Sequence, residues 1–240
     1  MPDCLHSPPS CRTCRNLATH FDDAGFPTFN PDWRPFDVND AVLSACSSLI
    51  SVDNISGSQI VQFAHFSVKE FLTSPRLVSA ENENLKSLSR YHILPEPAHT
   101  TLARACLGVL LRLDDKIDKK SIRHFLLAHY AARYWIDDAQ FENVSSQVQG
   151  VMERLFDPMK PHFAAWVWLY DVDHHWLDSM SKMHPTRPSA VPLYYASLCG
   201  FLSLAEHFVG TNPENIDAMG RMYDTPLCAM PHRPGEALKS

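Results

Sequence analysis

Apolar and polar positions alternate along this chain with changing period, and the changes divide it. Between Ala41 and Leu72 the run AVLSACSSLISVDNISGSQIVQFAHFSVKEFL places Val42, Leu43, Cys46, Leu49 and Ile50 at helical spacing, which predicts a buried helix. Asp53-Asn54 and Ser56-Gly57-Ser58 are turn residues, and Ile60 to Ala64 is a β-branched and aromatic run of strand length. A second helix is expected from Ser67, with Glu70 three residues on completing a capping box.

Further along, the helical period dominates. Leu102, Ala105, Cys106, Val109, Leu110 and Leu113 form one stripe. A broader apolar surface runs from about Lys119 to Asp138 through Ile122, Phe125, His129, Tyr130, Tyr134 and Trp135, wide enough to be buried on more than one side. Helices over Val144–Phe156 and Phe163–Tyr170 follow. Paired helices with short connections build bundles or solenoid-like stacks, so the fold class expected is mostly α with one short strand pair.

Proline and polar runs mark the boundaries. They predict an unstructured tail over 1–20, a connector and mixed domain over 21–95, a helical region over 96–180, a C-terminal helical segment over 190–230 and a flexible tail over 231–240. Asp37 or Asn39 is expected to cap the Ala41 helix.

Composition adds exclusions. With 45% hydrophobic and 20% charged residues the 240-residue chain reads as globular rather than disordered. A formal net charge of −6 offers no basic footprint for nucleic acid or an anionic membrane. There is no run of about 18 apolar residues and no apolar signal core in MPDCLHSPPS, so a cytoplasmic location is expected. The seven cysteines, an odd number, argue against a disulfide framework.

Three groups of residues invite a chemical reading. Cys4, Cys11 and Cys14 with His6 and His20 form a cluster of metal-ligand types, in which Cys11 and Cys14 have the gap of a zinc knuckle that His20 or Cys4 could complete. The second knuckle is missing, so a frayed terminus is preferred. His65 and Ser67, with Glu70, mimic parts of a nucleophilic triad, yet a helix cap accounts for them with nothing left over. Asp171, Asp173, His174, His175 and Asp178 offer metal-ligand types, but adjacent histidines point apart, and an Asx-capped turn at a helix end is the simpler reading. Nor does any glycine-rich run of the G-x-x-x-x-G-K-[ST] kind occur among the 8 glycines. No catalytic, cofactor-binding or metal-binding residue is assigned, and no cofactor is expected. A hydrolase using His65 and Ser67, or a metal enzyme using the Asp171 to Asp178 cluster, stands as the alternative.

CSSLI followed by VQFAHFSVKEFL, and AHYAARYWIDDA further on, resemble segments of the fungal NACHT-ankyrin proteins, signal-transducing NTPases of the STAND type. The stretch Pro192-Leu193-Tyr194-Tyr195-Ala196-Ser197, Cys199-Gly200-Phe201 and Leu204 to Val209 resembles an ankyrin repeat, and Thr225-Pro226-Leu227-Cys228-Ala229 resembles the start of a second, Pro226 lying 34 residues after Pro192. The resemblance covers about residues 17 to 230. It implies a winged-helix-like domain over 21–95 and about one and a half ankyrin-type repeats over 190–230. It further implies a non-catalytic interaction or regulatory fragment lacking the NACHT domain, whose partners would be proteins such as a NACHT-type NTPase domain or further ankyrin repeats.

Overall fold

In the computed structural model the chain is described at residues 19–21, 27–29, 43–44, 48–55, 58–77, 91–114, 116–125, 127–174 and 183–230. Cys4, Cys11 and Cys14, the cap candidates Asp37 and Asn39, His175, Asp178 and the 231–240 tail lie outside those residues. The fold is mostly helical with short antiparallel strand pairs, and it divides into two compact units, Met1–Pro95 and Glu96–Ser240.

In the first unit β1 (Thr19–Phe21) pairs with β2 (Pro27–Phe29), and β3 (Ile50–Ile55) pairs with β4 (Ser58–Phe63) in antiparallel register, Ile50 opposite Phe63 and Ile55 opposite Ser58. The helix expected to run through Leu49 and Ile50 is therefore corrected: only Leu43 and Ser44 are helical among its described positions, and Ile50 opens a strand. A short apolar run fits either period. Here a six-residue ladder closed by a two-residue connection prevails, extended by the Ala64 amide donating to the Leu49 carbonyl at 2.9 Å. Asp53 and Asn54 belong to that ladder rather than to a turn.

Helix α1 (Phe66–Thr73) follows at once. Its N-cap is His65, not Ser67: the His65 Nδ1 accepts from the Ser67 amide at 3.2 Å. The strand ends so close to the helix that Ser67 already lies in the first turn, which removes it from the capping position. No residue of α1 is buried, and Phe66 and Phe71 are exposed. Among the described residues of this unit α1 is the one complete helix. The winged-helix expectation rested on the family resemblance and is corrected together with it.

The second unit holds seven helices among its described residues: α2 (Pro95–Leu110, entering from the end of the first unit), α3 (Ala128–Ala139), α4 (Val144–Leu155), α5 (Pro161–Leu169), α6 (Pro192–Leu198), α7 (Leu202–Thr211) and α8 (Pro226–Ala229). Four of them open on proline, whose fixed φ suits the first helical position and whose missing N–H leaves no donor orphaned there. The buried side of α2 is Thr100, Ala103, Cys106, Leu107 and Leu110, so the expected stripe is rotated and Leu102 faces solvent.

The helix expected from Lys119 starts only at Ala128. Asp118 Oδ1 accepts from the Lys120 and Ser121 amides and ties off a separate 3₁₀ turn, Ser121–His124, which ends at Phe125. Within α3, Ala131, Ala132, Trp135 and Ile136 are buried while His129, Tyr130 and Tyr134 are exposed, so one face is covered rather than several.

One hydrophobic cluster joins all seven helices. At its centre Trp135 is fully buried, edge-on to Trp166 at 5.4 Å and stacked on Phe201 at 5.3 Å. Phe156 meets Trp166 and Phe208, and Phe163 and Trp166 both meet Tyr195. Trp166 donates to the Ala132 carbonyl at 3.1 Å, which fixes α5 against α3.

Helix α6 packs against both α7 and α8. Gly200, at φ 71°, reverses the chain between α6 and α7, a conformation that glycine adopts without a Cβ clash. One helix pair and a single further turn occupy 190–230, an arrangement that does not by itself distinguish ankyrin repeats from other packed helices; the ankyrin expectation rested on the family resemblance and is corrected together with it.

Replacing Trp135 with alanine removes the shared ring of α3, α5 and the α6–α7 corner. We expect Trp135→Ala to cost about 3–5 kcal/mol, read as a lowered midpoint in urea denaturation followed by far-UV circular dichroism. An unchanged midpoint would mean that the cluster does not hold the unit together.

Candidate functional site

Two of the three groups marked by sequence fall among the described residues. His65 and Ser67 are both exposed, with Nδ1 and Oγ 2.8 Å apart, and the pair serves as the N-terminal cap of α1. Among the described residues the polar partner of the His65 ring is Ser67, and no carboxylate is bonded to the imidazole to orient it as a nucleophilic triad requires.

Asp171, Asp173 and His174 follow directly on α5, and they form the most connected polar group in the second unit. Asp171 Oδ1 accepts from the Asp173 amide at 3.2 Å, an Asx geometry that turns the chain, and from Arg221 Nη1 at 2.8 Å. Its other oxygen lies 3.5 Å from His174 Nδ1. Asp173 is buried and accepts a short hydrogen bond from the Tyr194 hydroxyl, which in turn accepts from the Tyr223 amide at 3.2 Å. Asp173 Oδ2 lies 3.5 Å from Arg221 Nη1, close enough for an ionic attraction although no hydrogen bond reaches that oxygen.

The knot thus ties the end of α5 to α6 and to the 220–224 loop. Gly220 closes it: a Cβ there would stand 2.2 Å from the Tyr194 ring and 2.5 Å from the Tyr223 carbonyl oxygen. Arg221 and Tyr194 carry the arrangement, and sequence reasoning assigned neither a polar role. An arginine in a short polar loop gives no signal of which carboxylate it will meet 50 residues away.

Electrostatics follow from burial. The Asp173 carboxyl is held above the ordinary value of 3.8, first by burial, with Tyr194 and Arg221 pulling the other way. Burial also pushes Tyr195 up to about 12 and raises Tyr194 further. Both carboxylates face Arg221, Asp173 also meets the Tyr194 phenol, and among the described residues no group of three acids, histidines or cysteines is set to hold a metal.

A second seam joins α2 to α3 and α4. His99 Nδ1 sits 2.8 Å from Asp138 Oδ1, its ring stacks on Phe141 at 4.2 Å, and Gln147 bridges to Glu96. Cys106 lies on the same helix, but burial and then the charge of Asp138 push its thiol up to about 12. Cys199 is raised as well, by burial first. Nucleophilic cysteines need the opposite shift.

A groove of about 700 Å³ opens on the second unit. It lies where the α4–α5 connection and the start of α5 meet residues 185–191 and the start of α6. Five prolines line it, Pro158, Pro161, Pro185, Pro188 and Pro192, with Phe163 and Val191 among its apolar residues. The ionisable side chains of its lining are Lys160 and Arg187, and the adjoining Asp157 accepts from the Met159 amide at 2.9 Å.

Compared with known proteins, the chain is similar to azaphilone pigments biosynthesis cluster protein L of Monascus ruber, 29% identical over 193 residues that cover 76% of this chain and 39% of that one. The chain spans less than half the length of the curated relative it matches. No protein-family pattern matches the chain, and no solved structure matches it.

That similarity overturns the NACHT-ankyrin assignment, and with it the reading of the chain as a regulatory or interaction fragment of a STAND signalling protein. The motifs that carried the resemblance are runs such as Phe63 to Leu72 and Pro192 to Phe201, whose residues are set by hairpin, cap and core packing. Runs of that kind recur wherever the same local geometry is needed.

Two outcomes test the knot. Gly220→Ala drives a methyl group into a ring held on all sides, and a destabilisation of at least about 1–3 kcal/mol is expected by calorimetry; a neutral substitution would refute the close approach. For Asp173, a folded pKa above the unfolded value favours the protonated, folded form. Its contribution is present at low pH and is lost as pH rises from about 3.8 through the raised value. The melting temperature of the native chain relative to Asp173→Asn should therefore fall between pH 4 and pH 7, whereas a rise would invert the assigned shift.

Proposed function

We propose that this chain is a non-catalytic accessory protein of a pigment-forming biosynthetic cluster of the azaphilone kind, acting in the cytoplasm through binding to a protein partner. The relative's name supports the link to pigment formation. The observation that carries the non-catalytic half is the use to which the reactive side chains of the helical unit are put: Asp171, Asp173, Arg221 and Tyr194 fasten one helix end, His99 and Asp138 fasten another, and the buried thiols of Cys106 and Cys199 are shifted away from reactivity. Such groups stabilise a scaffold, whereas catalysis needs an acid, a base and an oxyanion site converging on open space.

The cytoplasmic placement is supported by Cys106, Cys199 and Cys228, which are free thiols as expected in a reducing compartment. Among the described residues no helix is long and apolar enough to cross a membrane. Partner binding is supported by the exposed Tyr130 and Tyr134 rings, 4.8 Å apart on α3, with Arg133 over Tyr134 at 5.3 Å. Tyrosine and arginine are the residue types that dominate interface energetics. The helical unit itself is read as a stack of helical hairpins, supported by the α3–α4 and α6–α7 pairs.

The test is genetic. In the organism that carries this chain, its deletion should change pigment output, and the triple variant His65→Ala, Ser67→Ala, His174→Ala should restore the output as well as the native chain does. Unchanged pigment on deletion would sink the link to the pathway. Failure of the triple variant to complement, with its expression level normal, would sink the non-catalytic reading.

A further inference from the structure

We propose that the proline-lined groove is a binding site for an amphipathic small molecule bearing a carboxylate, its apolar body against Phe163 and Val191 and its head group met by Lys160 and Arg187. The proposal goes beyond the role in pigment formation and does not rest on it.

Size is the first argument. About 700 Å³ lies in the middle of the range, roughly 300–1,000 Å³, of sites that take up drug-sized molecules. It is a concavity rather than a flat face, which favours a small molecule over a folded partner.

Rigidity is the second. Five prolines contribute to the lining, and a proline has a fixed φ and no amide hydrogen. Walls of this kind lose little conformational freedom when a ligand enters, so less of the binding energy is consumed by ordering the site. They also present few backbone donors, so apolar contact makes up about half of what the exposed lining offers.

Charge is the third and decides the head group. Lys160 and Arg187 are the ionisable side chains of the lining, and among the described residues neither is in an ion pair. No Asp or Glu lines the groove. In a chain whose formal net charge is −6, a lining with two cations and no acid is a local excess of positive charge, with the adjoining carboxylate, that of Asp157, engaged by the Met159 amide at 2.9 Å. Such an excess selects an anion and rejects a cation of the same shape. Arginine in particular accommodates a carboxylate through two parallel N–H donors. The combination of apolar walls and a cationic end matches a molecule with one greasy and one acidic end, and a bare anion would leave the walls unused.

The experiment is isothermal titration calorimetry of the full chain with dodecanoate, below its micelle concentration, set beside dodecan-1-ol, acetate and a hexaglutamate peptide. Dodecanoate should bind, and the alcohol and acetate should each bind at least about tenfold more weakly, since each lacks one half of the recognition. Lys160→Ala with Arg187→Ala should weaken dodecanoate by about the same factor. Both side chains are exposed, so folding is expected to survive, and the control Lys120→Ala, an exposed lysine elsewhere in the unit, should leave binding unchanged. Ala164→Phe, which fills the groove, should abolish dodecanoate binding while far-UV circular dichroism stays native. No binding of dodecanoate, equal binding of the alcohol, tighter binding of hexaglutamate, or indifference to the paired Lys160 and Arg187 substitution would each overturn the proposal. None of these outcomes bears on the pigment test.

Discussion

The helical unit depends on one indole. Its helices are short, from four to sixteen residues, and isolated helices below about 12–15 residues are marginal in water. Helical order here must come from tertiary burial, and the burial converges on Trp135, which touches Phe156, Trp166 and Phe201 from three different parts of the chain. Because α3 supplies both this ring and the carbonyl of Ala132 that receives Trp166, the docking of α5 and the corner between α6 and α7 are set by the same surface. A helix that is itself of modest length becomes the template for its neighbours.

Polar groups lie at the edge of that aromatic mass and hold connections rather than helices. Asp173 is placed where burial disfavours its charge, and Arg221 and Tyr194 offset the cost from two directions. A half-satisfied network of this kind is stabilising only while all its members stay in place. That explains why Gly220 matters although it carries no side chain: the loop bearing Arg221 reaches the knot only by passing within van der Waals contact of the Tyr194 ring.

The helical half of the chain was legible where period and punctuation agreed. Val144 to Leu155 reads as a helix because Val148, Met152 and Leu155 share a face and Pro158 ends the run, and α5 and the turn at Asp171 are similarly marked. Legibility failed where one pattern served two structures. Leu49 and Ile50 fit a helical stripe, and only the pairing of Ile50 with Phe63, a contact across thirteen positions, ends that stripe in a turn at Leu49 and opens a strand at Ile50. The 3₁₀ turn at Ser121 was hidden for a different reason, since Asp118 acts through a side-chain cap that apolar periodicity does not register. The Arg221 contacts and the groove are long-range products of folding. Family likeness misled because short packing motifs report local geometry, which unrelated architectures share.

The crossing of two indoles at the centre of the unit has an optical consequence. Trp135 and Trp166 stand 5.4 Å apart with their planes inclined at 71°, a chiral arrangement in which the strong electronic transitions of the two rings couple. Coupled transitions of this kind give circular dichroism bands of opposite sign, whose amplitude vanishes when the rings rotate freely even if the backbone remains helical. The native packing of this protein therefore writes its own spectroscopic signature, one that separates a tightly ordered interior from a collapsed but fluid one without any label being attached.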